Sequence, residues 1–262
     1  MTLQTVVGRC STYTYGMQPG LGIFICVSTG RKGAAIAKKF ASLYNVVLLA
    51  RTPNSYETTV QEINESGGTA IGFPADVRDE ASIKNVFEQV TKQFPDKPVA
   101  AAVYNVGGVF IRKPFLEQSV EGFKLGYETS VLGAFIFAQA ALPHLISAAK
   151  STLPHPPSLF FTGATAAVKG SPYLQSFSPG KYALRSLTQS LAKEFGPEGV
   201  HVSHFIIDGV IDTPKTKEWL KDAPEGSKID PAAIADTYWA VHQQPKTTWT
   251  WELDIRPYVE KW

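Results

Sequence analysis

The chain has 262 residues, 44% of them hydrophobic, and 25 basic against 23 acidic side chains leave a net charge of +2. A chain of this size can bury one large core, so a single domain over 1–262 is expected. The near balance of charge provides no basic stripe, which excludes nucleic acid and an anionic membrane surface as expected partners. Cys10 and Cys26 are the only cysteines. Two thiols, one inside an apolar run, exclude a disulfide framework and point to a reducing, cytoplasmic location. No basic segment opens the chain at Met1–Gln4, and Gln139 and Pro143 interrupt the apolar run Val131–Ile146. Neither a leader nor a spanning helix is expected.

Residues 1–22 read as an irregular N-terminal extension that ends in Gly16-Met17-Gln18-Pro19-Gly20-Leu21-Gly22. Ile23–Val27 follows as a strand, then Ser28-Thr29-Gly30-Arg31-Lys32-Gly33, then a helix from Ala34 to Leu43. A strand, a glycine turn and a helix in succession suit a phosphate group at the helix N-terminus, and here Gly30 and Gly33 are the glycines that fit. Arg31 and Lys32 add positive charge beside them. Joining Gly22 directly to Ala34 would give a more regular glycine turn, so Ile23–Gly33 reads as an inserted or mis-spliced segment.

Further along, β-branched runs at Val46–Ala50, Thr69–Phe73, Val99–Val103, Ser158–Thr162 and Val200–Ile207 alternate with helical patterns at Tyr56–Glu65, Ala81–Phe94, Ser119–Ala149 and Lys181–Phe195. This alternation predicts an α/β fold, a doubly wound parallel sheet of the Rossmann kind. The Pro-rich stretch at Leu153–Pro157 reads as a loop, 213–231 as a substrate lid, and Trp249–Asp254 as an edge strand. Small residues from Gly133 to Ala141 suit a homo-oligomer interface, or simple packing on the sheet. His144, His201 and His204 lack metal-ligand spacing and are read as core or surface residues.

Several motifs, in a fixed order from about Ile23 to Thr213, resemble the short-chain dehydrogenase/reductase family. These are Val46-Val47-Leu48-Leu49-Ala50-Arg51, Pro74-Ala75-Asp76-Val77, Tyr104-Asn105-Val106-Gly107-Gly108, Thr162-Gly163-Ala164-Thr165, Phe177-Ser178-Pro179-Gly180-Lys181 and Asp208-Gly209-Val210-Ile211-Asp212-Thr213. The resemblance implies a dinucleotide cofactor held by Gly30, Gly33, Arg51, Asp76, Asn105, Lys181, Ile211 and Thr213. A cation at the end of the second strand suits a 2′-phosphate, so Arg51 favours NADP(H) over NAD(H).

The family's catalytic tyrosine, four residues before Lys181, is Phe177 here. Its serine position holds Ala164, and the asparagine of the long fifth helix matches Ser130. Phenylalanine has no proton to donate, and a positioned acid or base contributes about 10²- to 10⁴-fold to rate. Lys181, Tyr173 and Thr165 are the remaining catalytic candidates, with Tyr173 ranked above Tyr182 because Tyr182 should face away from Lys181 on the helix. The expectation is an NADP(H)-dependent oxidoreductase acting on a small carbonyl or alcohol; the alternative is a degenerate relative that binds ligands or performs non-redox chemistry.

Overall fold

The computed structural model describes residues 20–28 and 30–260. Seven strands and seven longer helices alternate: β1 (Ile23–Ser28), α1 (Arg31–Phe40), β2 (Asn45–Ala50), α2 (Glu57–Glu65), β3 (Ala70–Pro74), α3 (Glu80–Gln93), β4 (Val99–Asn105), α4 (Val120–Tyr127), α5 (Gly133–Ala148), β5 (Ser158–Thr162), α6 (Ser178–Phe195), β6 (His201–Ile207), α7 (Pro231–His242) and β7 (Glu252–Ile255). The strands form one sheet in the order β3-β2-β1-β4-β5-β6-β7. Every pairing in it is parallel. All residues of β2, β4, β5 and β6 are buried, the pattern of strands covered by helices on both faces.

β1 lies inside this sheet, paired with β2 on one side and β4 on the other. Ile23, Ile25 and Val27 enter the core beneath α3 and α5, while Phe24 and Cys26 enter the core beneath α1 and α7. Ile23–Gly33 is therefore not an insertion: it contains an interior strand of the sheet and the start of α1. The glycine spacing of Gly16–Gly22 misled because it precedes the strand instead of following it. Of that segment, residues 16–19 lie outside the described residues, as do the rest of the N-terminal extension and Cys10. Gly20 and Leu21 both donate their backbone N–H to the Leu43 carbonyl at 3.1 Å, which ties the entry of the chain to the start of β2.

Two boundaries differ in ways that matter for the site. α1 begins at Arg31, not Ala34, so Gly30 is its N-cap, with a left-handed φ of 93° that glycine adopts without strain. The long pattern at Ser119–Ala149 is three pieces: α4, a π-helical turn at Glu128–Leu132, and α5. The stretch Val120–Ala148 is long and apolar enough to cross a membrane by length and composition, and α5 runs straight through Pro143. Gly133, Ala134, Phe137, Ala138 and Ala141 are buried against the sheet of the same chain. At Gly133 a Cβ would sit 2.5 Å from the Tyr104 hydroxyl. Gly133, Ala134, Ala138 and Ala141 thus serve packing on the sheet.

Candidate active site

The chain reaches β4 from β3 by crossing over β2 and β1, so the strand order reverses between β1 and β4. In such sheets ligands bind outside the carboxyl ends of the strands at that reversal. A cavity of about 160 Å³ lies there, lined by Lys32, Val106, Gly107, Gly163, Ala164, Phe177, Lys181, Ile207, Gly209 and Ile211. Lys181, in the first turns of α6, is 2% exposed. Its Nζ donates to the carbonyls of Val106 and Thr162, each at 3.2 Å, and stands 5.7 Å from the Phe177 ring centroid. Burial lowers the Lys181 ammonium to about 8. Phe177 is the N-cap residue of α6 and packs edge-on against Phe110, with ring centroids 5.4 Å apart.

A second cavity, of about 140 Å³, is lined by Arg51, Asp76, Val77, Arg78, Val106, Gly107, Gly108, Val109, Leu125 and Thr129. Val106 and Gly107 belong to both cavities, so the two are the ends of one groove passing over β4. Asp76 accepts from Arg78 through both carboxylate oxygens, at 3.1 Å from Nε and 2.6 Å from Nη2. This bond, ahead of the opposing effect of burial, holds the Asp76 carboxyl below its ordinary range. Arg51 is exposed and, among the described residues, forms no ion pair.

Beneath the first cavity, Arg185 of α6 grips Glu252 of β7 through two bonds of 2.5 and 2.7 Å, and Glu252 lies 3.1 Å from His204 Nδ1. The His204 Nε2 is buried without a hydrogen-bond partner, and a Cβ on Gly163 would approach it to 2.4 Å. Only glycine fits there. Ser130, set on the π-helical turn, is 1% exposed and its Oγ is also unpartnered. Such single π turns recur at functional sites. A Cβ at Gly108 would meet this Oγ at 3.0 Å and the Phe177 ring at 3.4 Å, so Ser130 and Phe177 close one side of the groove.

A model of the short chain dehydrogenase family matches residues 25–224. The chain belongs to the short-chain dehydrogenase family. Among curated relatives, L-2,3-butanediol dehydrogenase of Corynebacterium glutamicum is 27% identical over 209 residues, covering 79% of this chain and 76% of that protein. The 3-dehydrosphinganine reductase TSC10B of Arabidopsis thaliana is 28% identical over 210 residues, covering 79% of this chain and 60% of the reductase. A short-chain dehydrogenase from Rhodopseudomonas palustris superimposes with a TM-score of 0.74 at 30% identity, over 90% of this chain and 99% of the other.

Of the residues singled out in this short-chain dehydrogenase, the fold brings Lys181 and Ile211 to the first cavity and Arg51 and Asp76 to the second. Asn105 ends β4 beside Ser28 of β1 and is 2% exposed. Gly30 caps α1, and Gly33 is buried within it. Thr213 caps a short helical turn at Pro214–Thr216 and lines neither cavity. Thr165 lies outside both cavities, its hydroxyl donating to the Asp208 carboxylate. Tyr173 also lies outside both. It is 46% exposed with a left-handed φ of 69°, and its carbonyl accepts from the Lys113 N–H.

The sequence reading missed Lys32 as a cavity residue. With α1 begun at Ala34, Lys32 falls in a loop with no defined direction; with α1 begun at Arg31, it is fixed in the first turn and reaches the chamber of Lys181. The signal was present, since an apolar position would be ordinary in a first turn that faces a sheet.

The short-chain dehydrogenase fold binds NAD(P), and the residues suit such a group at both ends of the groove. Lys181 offers a fixed donor at one end, and Arg51 with Arg78 offers guanidinium groups at the other. Gly107, between them, has no heavy atom within 4 Å of where a Cβ would stand. That open stretch of backbone permits close approach by a ligand.

Proposed function

We propose that this short-chain dehydrogenase is an NADP(H)-dependent oxidoreductase that interconverts a small carbonyl compound and its alcohol. The observation that carries the cofactor preference is the second cavity, where Arg51, at the end of β2, lines the wall together with Arg78 and Asp76. Arg78 is neutralised by Asp76, and Arg51 has no such partner among the described residues. A guanidinium with open donors is suited to a 2′-phosphate, whereas a ribose hydroxyl would call for a carboxylate there. Lys181, Asn105, Asp76, Gly30, Gly33, Ile211 and Thr213 are the other cofactor residues of this reading, with the substrate beside Ala164 and Phe177.

The names of the relatives support carbonyl and alcohol chemistry, since one is an L-2,3-butanediol dehydrogenase and another a 3-dehydrosphinganine reductase. A second reading, a ligand-binding or non-redox relative, is favoured by Phe177 and Ala164, which remove two hydroxyl groups from the place where a carbonyl would be polarised.

Titration with NADPH and with NADH, followed by nicotinamide fluorescence, tests the cofactor preference, and binding without turnover across a carbonyl panel would favour the second reading. NADPH is expected to bind more tightly than NADH, and Arg51→Glu to weaken NADPH by about 10- to 100-fold while leaving NADH nearly unchanged, the effect of losing one charged hydrogen-bonding partner. Absence of binding by either cofactor would refute the proposal.

A further inference from the structure

Carbonyl reduction needs a proton on oxygen as well as a hydride on carbon, and Phe177 and Ala164 cannot give one. Any replacement acid must line the same chamber. Among the described residues that line this cavity, only Lys32 and Lys181 carry an exchangeable side-chain proton. Lys181 already spends two of its donors on the Val106 and Thr162 carbonyls. Lys32 has neither a hydrogen bond nor an ion pair to another described residue, and its position is fixed by the first turn of α1.

On this geometry, and resting on the oxidoreductase reading above, we propose that Lys32 is the catalytic proton donor, replacing the hydroxyl absent at Phe177. The hydride adds to the carbonyl carbon as the reduced nicotinamide is oxidised. The C=O π pair moves to oxygen and forms the new O–H bond with a proton from Lys32 Nζ, whose N–H bond breaks. The neutral amine then takes a proton from solvent, and in alcohol oxidation the same steps run backwards.

The surroundings suit Lys32 to this work. Burial first, and then the like charge of Lys181, lower its ammonium to about 7, close to where a general acid serves best at neutral pH. The groups that face it are Lys181 of α6 and the buried thiol of Cys26 on β1, the latter acting weakly in the opposite direction. No carboxylate among the described residues lies within ion-pair distance to restore its ordinary basicity. Lys181 here tunes an amine.

Four variants and one cofactor-free measurement test this. In the unloaded protein, competitive acetylation across pH, read residue by residue by mass spectrometry, should give Lys32 an apparent pKa of about 7, rising in Lys181→Met. A value near that of an ordinary lysine overturns the proposal whether or not NADPH binds. In turnover at saturating NADPH, Lys32→Met should lower kcat by about 10²- to 10⁴-fold. Lys32→Arg should remain as slow, because a guanidinium keeps the charge but does not release a proton. An unchanged kcat in Lys32→Met with only NADPH affinity lost, or full rescue by Lys32→Arg, would make Lys32 a phosphate anchor and overturn its role as acid. Failure of NADPH to bind at all, with Lys32 still titrating near 7, would strike the oxidoreductase reading instead. A kcat loss of the same size in Tyr173→Phe, with Lys32→Met active, would move the proton to Tyr173.

Discussion

Phe177 lines the chamber of Lys181, and its ring is 8% exposed with the Lys181 ammonium over its face. The double substitution Phe177→Tyr and Ala164→Ser would put two hydroxyl groups back into the chamber. It should raise kcat/KM for carbonyl reduction, and the gain should grow above pH 7. There the fraction of protonated Lys32 falls, while a tyrosine keeps its proton. A pH profile of kcat/KM checks this, and a uniform gain at every pH would count against Lys32 as the existing acid. The missing hydroxyl was legible because Phe177 stands four residues before Lys181, the spacing of tyrosine and lysine in the family, although in the fold it caps α6 instead of lying within it. Lys32 was not, because its direction depends on where a helix begins, and a three-residue error in that start turns a wall residue into a loop residue.

At the scale of elements, the strands between helices were readable from their apolar and β-branched runs, and the edge strand β7 from the run Trp249–Asp254 that overlaps it. The role of β1 was misread because glycine spacing outweighed the sheet that surrounds Ile23–Ser28. The contact between β5, β6 and β7 was not legible either, since it joins Gly163, His204 and Glu252 across three strands. Gly163→Ala tests it: the added Cβ would lie 2.4 Å from His204 Nε2. Overpacking of this kind costs about 1–3 kcal/mol, and should lower the Tm by about 2–4 °C for each kcal/mol. A melt unchanged from the parent protein would mean that His204 moves aside at no cost.

For the whole molecule, the histidines set a direction of pH dependence. Burial lowers His201 and His204 to about 4 and His242 well below its ordinary value. His242 is locked between the Tyr44 hydroxyl and the Ser158 hydroxyl, each at 2.8 Å, which ties α7 to the sheet. As pH falls below about 6.5 the unfolded chain takes up protons on these groups while the folded chain does not, so stability is full above that pH and declines toward 4. Each such histidine contributes a slope of about 1.4 kcal/mol per pH unit in that window. The urea midpoint should therefore drop between pH 7 and pH 5, and a flat midpoint would show that these imidazoles are protonated in the fold. Composition could not foretell this, because all five histidines look alike until their burial is known.

The central claim is that hydride transfer survives in a chamber without the tyrosine and serine hydroxyls. Single-turnover mixing of the protein with NADPH, deuterated at the transferable position, and a panel of small ketones and aldehydes tests it most directly. The account predicts loss of the reduced-nicotinamide absorbance, with deuterium on the carbinol carbon of the product, faster at pH 6 than at pH 9. Bound NADPH that remains fully reduced and keeps its deuterium across the panel would contradict it.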